Sequence, residues 1–526
     1  MQIYENISKY TIFVTQFFAC YYTIKSVIFS LNSCGIAMNK KFLKNIIFLL
    51  FINLLIKPFW ILGVDRAVQN LVGDMSYGLY LAIFQFSYLF YIILDLGLTN
   101  FNNRNIAQNN QLLSKHFVGI SQAKIILTVL YFIVIFIIGW LIGYRGEQLK
   151  MLAIVGFNQV LLSFILYVRS NISALLLFKT DSMLSVLDRV LMILICSFLL
   201  WSGFIPRENF NIYSYIYSQT VSYVITLVIA IAIVLKHTGK LTIRINIPFV
   251  IMIIKKSLPY ALLVLLMSFY NRLEPVLIER ILPGDIAATQ AGIYARAWRL
   301  FDAGNNISYL FSVILLPLFA AIIKENEDLQ GLVKQSFSIM LSMTCIIAVL
   351  CIFYSHNFME IMYPEQNNAE ASTILKILMG SFVSISITYI FGTLLTANGN
   401  LKQLNIVAGC GVALNLVLSF LFIPHFQAVG AAFTSLCVQF VTCVIQFFIA
   451  KKIFNLKLGN AFWLRLATFL ILISLITYLS TTLTINWWAS FGIAAAACVI
   501  IAFITKILNY SEIKDLIFSS LKNIKK

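Results

Sequence analysis

The chain has 526 residues, of which 60% are hydrophobic and only 11% are charged. A water-soluble domain needs roughly 25% charged residues to cover its surface. The composition therefore excludes a soluble protein and indicates that lipid covers much of this one. The net charge of +18 comes from Lys and Arg residues beside apolar segments, which is typical of membrane-protein loops, and we expect no nucleic acid among the partners.

Apolar runs of about 20 residues, the length that crosses a bilayer as a helix, recur along the chain. They predict an all-α, polytopic membrane protein with fourteen spans, at 42–64, 77–98, 119–143, 151–178, 186–206, 212–235, 257–281, 288–323, 335–355, 374–396, 402–423, 428–450, 462–482 and 487–506. If Lys40 and Lys41 lie in the cytoplasm and the sides alternate, most basic loop residues also lie there. This alternation predicts a multi-pass protein with both termini in the cytoplasm.

The first 37 residues fit neither a signal peptide nor a span, because they are weakly apolar and contain Lys25. Met38, followed by "NKKFLKN", looks like a bacterial start site that leads into the first span. Our hypothesis is that translation begins at Met38 and that residues 1–37 are an extension outside the native protein. Intact-mass measurement of the natively expressed protein tests it, and a product that begins at Met1 would contradict it.

Two pairs of segments repeat at nearly the same offset. Residues 175–206 and 393–424 share a polar turn, an apolar span and a final Phe-Ile-Pro, at an offset of 218. "YGLYLAIF" (77–84) resembles "AGIYARAW" (291–298) at an offset of 214. Such a repeat predicts two parallel lobes of six spans around a central cavity, followed by two further helices and a basic tail. The predicted domains are 38–245, 246–458 and 459–526.

Several cations lie within the predicted spans, where charge is costly and usually faces a cavity or a partner. Because Arg296 and Arg299 are three residues apart, they are expected to share a helix face. The cations exceed the carboxylates in these segments, so we predict a cavity that binds a bulky anion such as a phosphate ester. The alternative is that each cation pairs with a carboxylate or reaches the headgroups, as we expect for Arg169. The predicted substrate-binding cations are Arg272, Arg296, Arg299 and Lys57, and the carboxylates for ion coupling or structural pairing are Asp302 and Glu274.

The second span ends in the polar stretch "IILDLGLTNFNNRNIAQNN" (92–110), which contains Asp95 and Arg104. One interpretation is a structural latch, in which Asp95 pairs with a cation of a neighbouring span or loop and Arg104 anchors to headgroups. The other is a cytoplasmic gate. Replacing Asp95 by Asn would impair transport more than assembly if it is a gate, and both equally if it is a latch.

Three segments resemble a known family: "IKPFWILGVDRAVQNLVG" (56–73), "GLYLAIFQFSYLFYIILDLGLTNFNNRNIA" (78–107) and "AGIYARAWRLFDAGNNISYLFSVILLPLFAAIIK" (291–324). They are similar to the bacterial lipid-linked oligosaccharide flippases, the O-antigen and polysaccharide exporters of the multidrug/oligosaccharidyl-lipid/polysaccharide superfamily. The resemblance covers about residues 38–510. It implies a two-lobed fold and alternating access that moves a polyprenyl-diphosphate-linked glycan across the bacterial inner membrane for O-antigen, capsule or other surface polysaccharide synthesis.

The related lipid II flippases use arginines in spans 1, 2 and 8. Here span 8 matches through Arg296 and Arg299, whereas span 1 carries Lys57 and span 2 has only Arg104 at its end. The resemblance implies membrane lipid, a polysaccharide polymerase and glycosyltransferases as further partners. It implies no covalent chemistry.

Two alternatives remain open. A membrane-embedded polysaccharide polymerase or ligase would need catalytic groups on an outer loop, and the longest predicted one, 356–373, carries His356 and Glu360. A cation-coupled drug exporter of the same superfamily would need an acidic cavity. The sequence contains no Walker motif, no dinucleotide fingerprint and no metal-spaced cluster, which predicts no cofactor and no metal site.

Overall fold

The structure is a computed structural model that describes residues 59–99, 113–175, 177–202, 209–238, 261–325, 329–364, 366–457 and 459–508, together with 52–53, 55–56, 102–103, 106, 111 and 206. Every regular element in these ranges is a helix, which confirms the all-α fold class. Lys57, Arg104, residues 1–37 and the basic C-terminal tail from residue 509 lie outside the described residues.

The chain divides into two units. The first comprises Lys44–Ala295 with Ser419–Gln427. Its described part begins with a π-helical turn, Trp60–Asp65, and contains a 3₁₀ turn, Tyr91–Leu94. Its helices are α1 (Arg66–Leu89), α2 (Leu113–Leu141), α3 (Glu147–Ala174), α4 (Phe178–Trp201), α5 (Ile212–Leu235), α6 (Ala261–Arg272), α7 (Glu274–Ile281) and the start of α8 (Gly284–Glu325).

The second unit holds the described residues of Arg296–Leu418 and of the chain from Ala428 onward. In it the helix Leu329–Phe353 packs against the helix Ala369–Ala397. The last two helices pack against each other and against Leu329–Phe353. Its helices are the rest of α8, α9 (Leu329–Phe353), α10 (Ser355–Met362), α11 (Ala369–Ala397), α12 (Leu401–Phe454), α13 (Asn460–Thr481) and α14 (Trp487–Ile504). The predicted domain boundary at 245 stays a prediction.

The predicted spans from residue 119 onward overlap helices of the described residues. Ten helices of the described residues are long and apolar enough to cross a membrane, and α6 with α7, bent by 55°, makes an eleventh. The predicted spans 402–423 and 428–450 match the two helical halves of α12, which are separated by a break in the backbone at Gln427 (φ 51, ψ −131), shortly after Pro424. These findings confirm a polytopic membrane protein.

The connection between the first two predicted spans differs from the expectation. The sequence suggests a loop at 65–76, but α1 begins at Arg66 and the backbone breaks at Gly73 (φ 77, ψ 167). That conformation favours glycine, which has no Cβ to clash. Asp65, directly before α1, is buried in the π-helical turn. The first span therefore continues to the turn at Gly73.

One side of α2 carries large apolar residues that the protein leaves uncovered. Ile126, Val129, Ile133 and Ile137 are each 50–62% exposed. A contiguous apolar stripe of this kind is not stable against water, whereas it is suited to lipid chains. This side of α2 therefore faces the hydrocarbon core.

Helices α1 and α8 touch through their backbones at two glycines. A methyl group at Gly78 would overlap the carbonyl oxygen of Ala288, and one at Gly292 would overlap that of Asp74. Both pairs are related by the same offset of 214 residues that relates "YGLYLAIF" to "AGIYARAW". The contact is therefore reciprocal, as a local two-fold relation between the two repeated segments requires.

We predict that Gly78→Ala and Gly292→Ala each lower the stability of the detergent-solubilised protein by roughly 1–3 kcal/mol, because the added methyl group forces the helices apart. The measurement is thermal unfolding. Gly119→Ala in α2 is the control, since nothing lies within 4 Å of its added Cβ. If Gly78→Ala and Gly119→Ala unfold at the same temperature, the close contact is wrong.

Candidate functional site

Arg272 ends α6, directly before the 55° bend that separates it from α7. Its guanidinium lies over the ring of Tyr88, 4.5 Å from the ring centroid, and donates to Gln85 Oε1 at 3.3 Å. Arg272 and Tyr88 are half-buried, whereas Gln85 is fully buried. The first unit thus holds one predicted substrate-binding cation against an aromatic ring and an amide of α1.

Glu274 follows the bend and begins α7. It is 1% exposed, so the structure places this carboxylate in the interior of the first unit, two residues from Arg272. Its predicted role in ion coupling or structural pairing stays a prediction.

Arg296 lies inside the second unit, beneath the connection between α10 and α11. Its side chain donates to the backbone carbonyl of Asn367 at 3.2 Å and to Asn368 Oδ1 at 3.5 Å, and lies 5.7 Å from the ring centroid of Tyr363. Arg296 is 3% exposed. These contacts indicate that it organises the connection 363–368.

Arg299 has different surroundings although it lies only three residues further along α8. It is half-buried and lies 5.5 Å from the ring centroid of Trp298. The spacing predicted that the two arginines would share a face. The structure shows that Arg296 is buried and contacts the connection, whereas Arg299 is half-buried.

Asp302 is half-buried, one turn after Arg299. Asn306 Nδ2 donates to the Asp302 backbone carbonyl at 2.7 Å and to its Oδ2 at 3.3 Å. Arg299, Asp302 and Asn306 therefore form a half-buried polar stripe on α8, which lies in the second unit.

The predicted site residues thus fall into two sets. Arg272 and Glu274 belong to the first unit, and Arg296, Arg299 and Asp302 belong to the second. The roles assigned to both sets from the sequence stay predictions.

Asp95 lies where α1 loses its regular geometry. After the 3₁₀ turn Tyr91–Leu94, Leu96 (φ 43) and Gly97 (φ 82) both adopt positive φ. Asp95 Oδ1 accepts from Lys124 Nζ at 3.0 Å, and Thr99 also donates to it. The structure therefore supplies a cation from α2 for Asp95, and whether the pair acts as a latch or a gate stays a prediction.

Lys124 was not singled out in the sequence, although it is a cation inside the predicted span 119–143. Its side chain is 1% exposed, and its Nζ also donates to the Leu94 carbonyl at 2.9 Å. The rings of Phe164 and Tyr167 lie about 6 Å from it. The sequence signal that could have identified Lys124 is its position as a charged residue inside an apolar run.

Asp65 was also missed. Tyr77 donates to both of its carboxylate oxygens at 2.9 Å, and Tyr215 donates at 2.5 Å.

Arg169 pairs with a carboxylate, as expected from the sequence, because its Nε lies 2.8 Å from Asp181 Oδ1. His356 and Glu360 form an exposed pair on α10, 3.0 Å apart.

Comparison with protein families gives two matches. The model described as "Polysaccharide biosynthesis protein" matches residues 42–323, which is more than half of the chain. The MatE model matches residues 323–421. Comparison with curated proteins gives no match.

Several solved structures have a similar fold. The lipid II flippase MurJ, in an inward closed conformation, aligns at 14% identity over 86% of this chain and 97% of its own, with a TM-score of 0.67. An inward-facing multidrug resistance MATE transporter of the MOP superfamily aligns at 12% identity over 82% and 98%, with a TM-score of 0.61. A MOP superfamily transporter from Pyrococcus furiosus aligns at 12% identity over 78% and 96%, with a TM-score of 0.55. At these identities the likeness shows the fold alone. The resemblance predicted from the sequence is confirmed by the two family matches, over residues 42–323 and 323–421.

We predict that Lys124→Met and Asp95→Leu each lower stability by about 3–5 kcal/mol, because each leaves a buried charge without its partner. The double variant should lose less than the sum of the two losses, since it removes both charges together. Thermal unfolding of the four proteins measures this coupling.

Glu147→Gln is the control, because the Glu147–Lys150 pair is exposed and should contribute little. Additive losses in the double variant would contradict the coupling of Lys124 and Asp95.

Proposed function

Because this chain belongs to the polysaccharide biosynthesis protein family, we propose that it is a flippase for a polyprenyl-diphosphate-linked oligosaccharide. It works by alternating access in the bacterial inner membrane, with both termini in the cytoplasm. The exported glycan serves O-antigen, capsule or other surface polysaccharide synthesis, together with glycosyltransferases and a polymerase. The observation that carries this proposal is that a member of this family holds half-buried arginines, Arg272 and Arg299, within its apolar helices.

The chemistry of these arginines suits a diphosphate. A guanidinium is always charged and can donate two parallel N–H bonds to the oxygens of one phosphate group. Arg272 has a defined orientation, since Tyr88 and Gln85 both contact it. Arg299 lies on the polar stripe of α8 with Asp302 and Asn306. Arg296 contributes indirectly, through the connection 363–368 that it organises.

The lipid-linked cargo is favoured over an organic cation. The fold is shared with MurJ, named as a lipid II flippase, and with drug transporters, so the fold alone supports both classes. A cationic drug would be repelled by Arg272 and Arg299, whereas a diphosphate would be attracted.

Transport requires two packings of similar energy that the ligand, an ion or the membrane potential can bias. Each net charge moved across the full membrane contributes about 2.3 kcal/mol per 100 mV. Asp302 and Glu274 are the proposed carriers of a coupling ion. Asp302 is the more accessible of the two, because it is half-buried whereas Glu274 is 1% exposed.

We predict that Arg272→Gln and Arg299→Gln each lower glycan export about tenfold or more, because each removes charge-assisted hydrogen bonds to the diphosphate. Export is measured as surface polysaccharide in cells whose own copy of the gene is deleted, and membrane levels of each variant are measured in parallel. Arg465→Gln is the matched control, since Arg465 is exposed on α13. Its export should equal that of the wild type.

Arg296→Gln should differ from Arg272→Gln and Arg299→Gln, because it removes contacts to the connection between α10 and α11. It should lower the unfolding temperature as well as export.

Normal export from the Arg272→Gln/Arg299→Gln double variant, at wild-type membrane levels, would refute the proposed function. Tighter binding of organic cations than of polyprenyl diphosphate sugars would favour the drug exporter.

A further inference from the structure

Three aromatic rings stack along one side of α1 and the 3₁₀ turn that follows it. Phe84 and Tyr88 have ring centroids 6.3 Å apart with planes 25° apart. Tyr88 and Tyr91 are 5.4 Å apart with planes only 8° apart. We call Phe84, Tyr88 and Tyr91 the aromatic ladder.

The change of helix type explains why the last two rings are nearly parallel. Side chains at i and i+4 lie on one side of an α-helix, which relates Phe84 to Tyr88. In a 3₁₀ turn, side chains at i and i+3 eclipse each other. Because the α-helix gives way to the 3₁₀ turn after Leu89, Tyr91 is placed directly over Tyr88.

The ladder is the accessible side of the last part of α1, from Tyr80 onward. Between Tyr80 and Phe90, Phe84 and Tyr88 are half-buried and all other residues are buried. The lipid-facing residues of α2, by contrast, are at least 50% exposed. Partial exposure beside the Arg272 guanidinium indicates a recess lined by protein, because a guanidinium in open hydrocarbon is costly.

A second observation points to a ligand at the same place. Gln85 is 0% exposed, and its Nε2 has no hydrogen-bond partner among the described residues, although its Oε1 accepts from Arg272. A buried donor left without a partner destabilises the folded state. A ligand oxygen bound beside Arg272 would satisfy this donor.

We propose that the aromatic ladder binds the sugar rings of the lipid-linked oligosaccharide, beside Arg272, which binds its diphosphate. This proposal rests on the proposed function and names the residues that recognise the glycan part of the cargo. The faces of aromatic rings carry negative charge density, and the C–H groups on one face of a pyranose carry positive charge density. A sugar ring can therefore stack flat on a ladder ring.

The Gln85 amide completes the chemistry, because it can donate to a hydroxyl or acetamido oxygen of a sugar held against Tyr88. The ladder rings differ in their relation to Arg272. Arg272 contacts Tyr88 and Gln85, whereas Phe84 is one turn further from it along α1. A change at Phe84 should therefore affect sugar binding without affecting diphosphate binding.

The test measures the affinity of the full-length protein in nanodiscs for two probes. One is undecaprenyl diphosphate, and the other is the same lipid carrying a disaccharide of N-acetylglucosamine. The wild type should bind the sugar-carrying lipid about tenfold more tightly, the amount expected for aromatic contacts. Phe84→Leu should abolish this difference and leave the affinity for undecaprenyl diphosphate unchanged.

Phe84→Tyr and Tyr88→Phe are the matched controls, since both keep a ring, and both should retain the difference between the two lipids. Phe157→Leu, at a position that is 43% exposed on α3, should also retain it. If Phe84→Leu does not fold, Tyr88→Leu replaces it. Tyr88 contacts Arg272, so this change can also weaken diphosphate binding, but it would then weaken both lipids by the same factor. The ratio of the two affinities therefore still reports the contact with the sugar. Arg272→Gln should weaken both lipids equally.

The outcomes separate the two proposals. Equal affinity of the wild type for both lipids would overturn the role of the ladder and leave the flippase proposal standing. An equal loss for both lipids in Phe84→Leu would also overturn it, because the ring would then serve the prenyl chain or the diphosphate. Binding of neither lipid by the wild type would overturn both proposals.

Discussion

The ion pair between Lys124 and Asp95 fixes the chain at the end of α1, the helix whose Gln85 and Tyr88 contact Arg272. A charge buried among apolar helices is stable only when it is paired and hydrogen-bonded. Lys124 meets this condition by bonding the Leu94 carbonyl and the Asp95 carboxylate at once. Because these groups end the 3₁₀ turn, the pair also holds Tyr91 in register with Tyr88, and Tyr88 in turn contacts Arg272.

Hydropathy was sufficient to predict the fold class and most helix bounds, since the length of an apolar run is set by the thickness of the bilayer. The predicted span 212–235 coincides with α5. The predicted loop at 65–76 was wrong, because α1 begins at Arg66 and the hydroxyl groups of Tyr77 and Tyr215 donate to the buried Asp65 carboxylate inside the protein. A charge marks a loop only when no buried partner is available, and sequence patterns do not reveal such partners.

The surroundings of the predicted site residues could not be derived from their spacing. Spacing predicted a common face for Arg296 and Arg299, yet Arg296 is buried against the connection between α10 and α11 whereas Arg299 is half-buried. Contacts of this kind join residues about 70 positions apart, so local periodicity cannot show them. The same holds for Gln85 and Tyr88, whose contacts with Arg272 cross more than 180 residues of sequence.

The reciprocal crossing of α1 and α8 has the form of an interface between identical subunits, although a single chain supplies both sides. In a true homodimer every substitution occurs twice, so the two sides cannot change separately. Here they have changed separately, since Asp74 occupies the position that Ala288 occupies in the other segment, while Gly78 and Gly292 are the same. A single polypeptide can thus carry different residues on the two sides of a helix crossing while the geometry of the crossing itself remains symmetric.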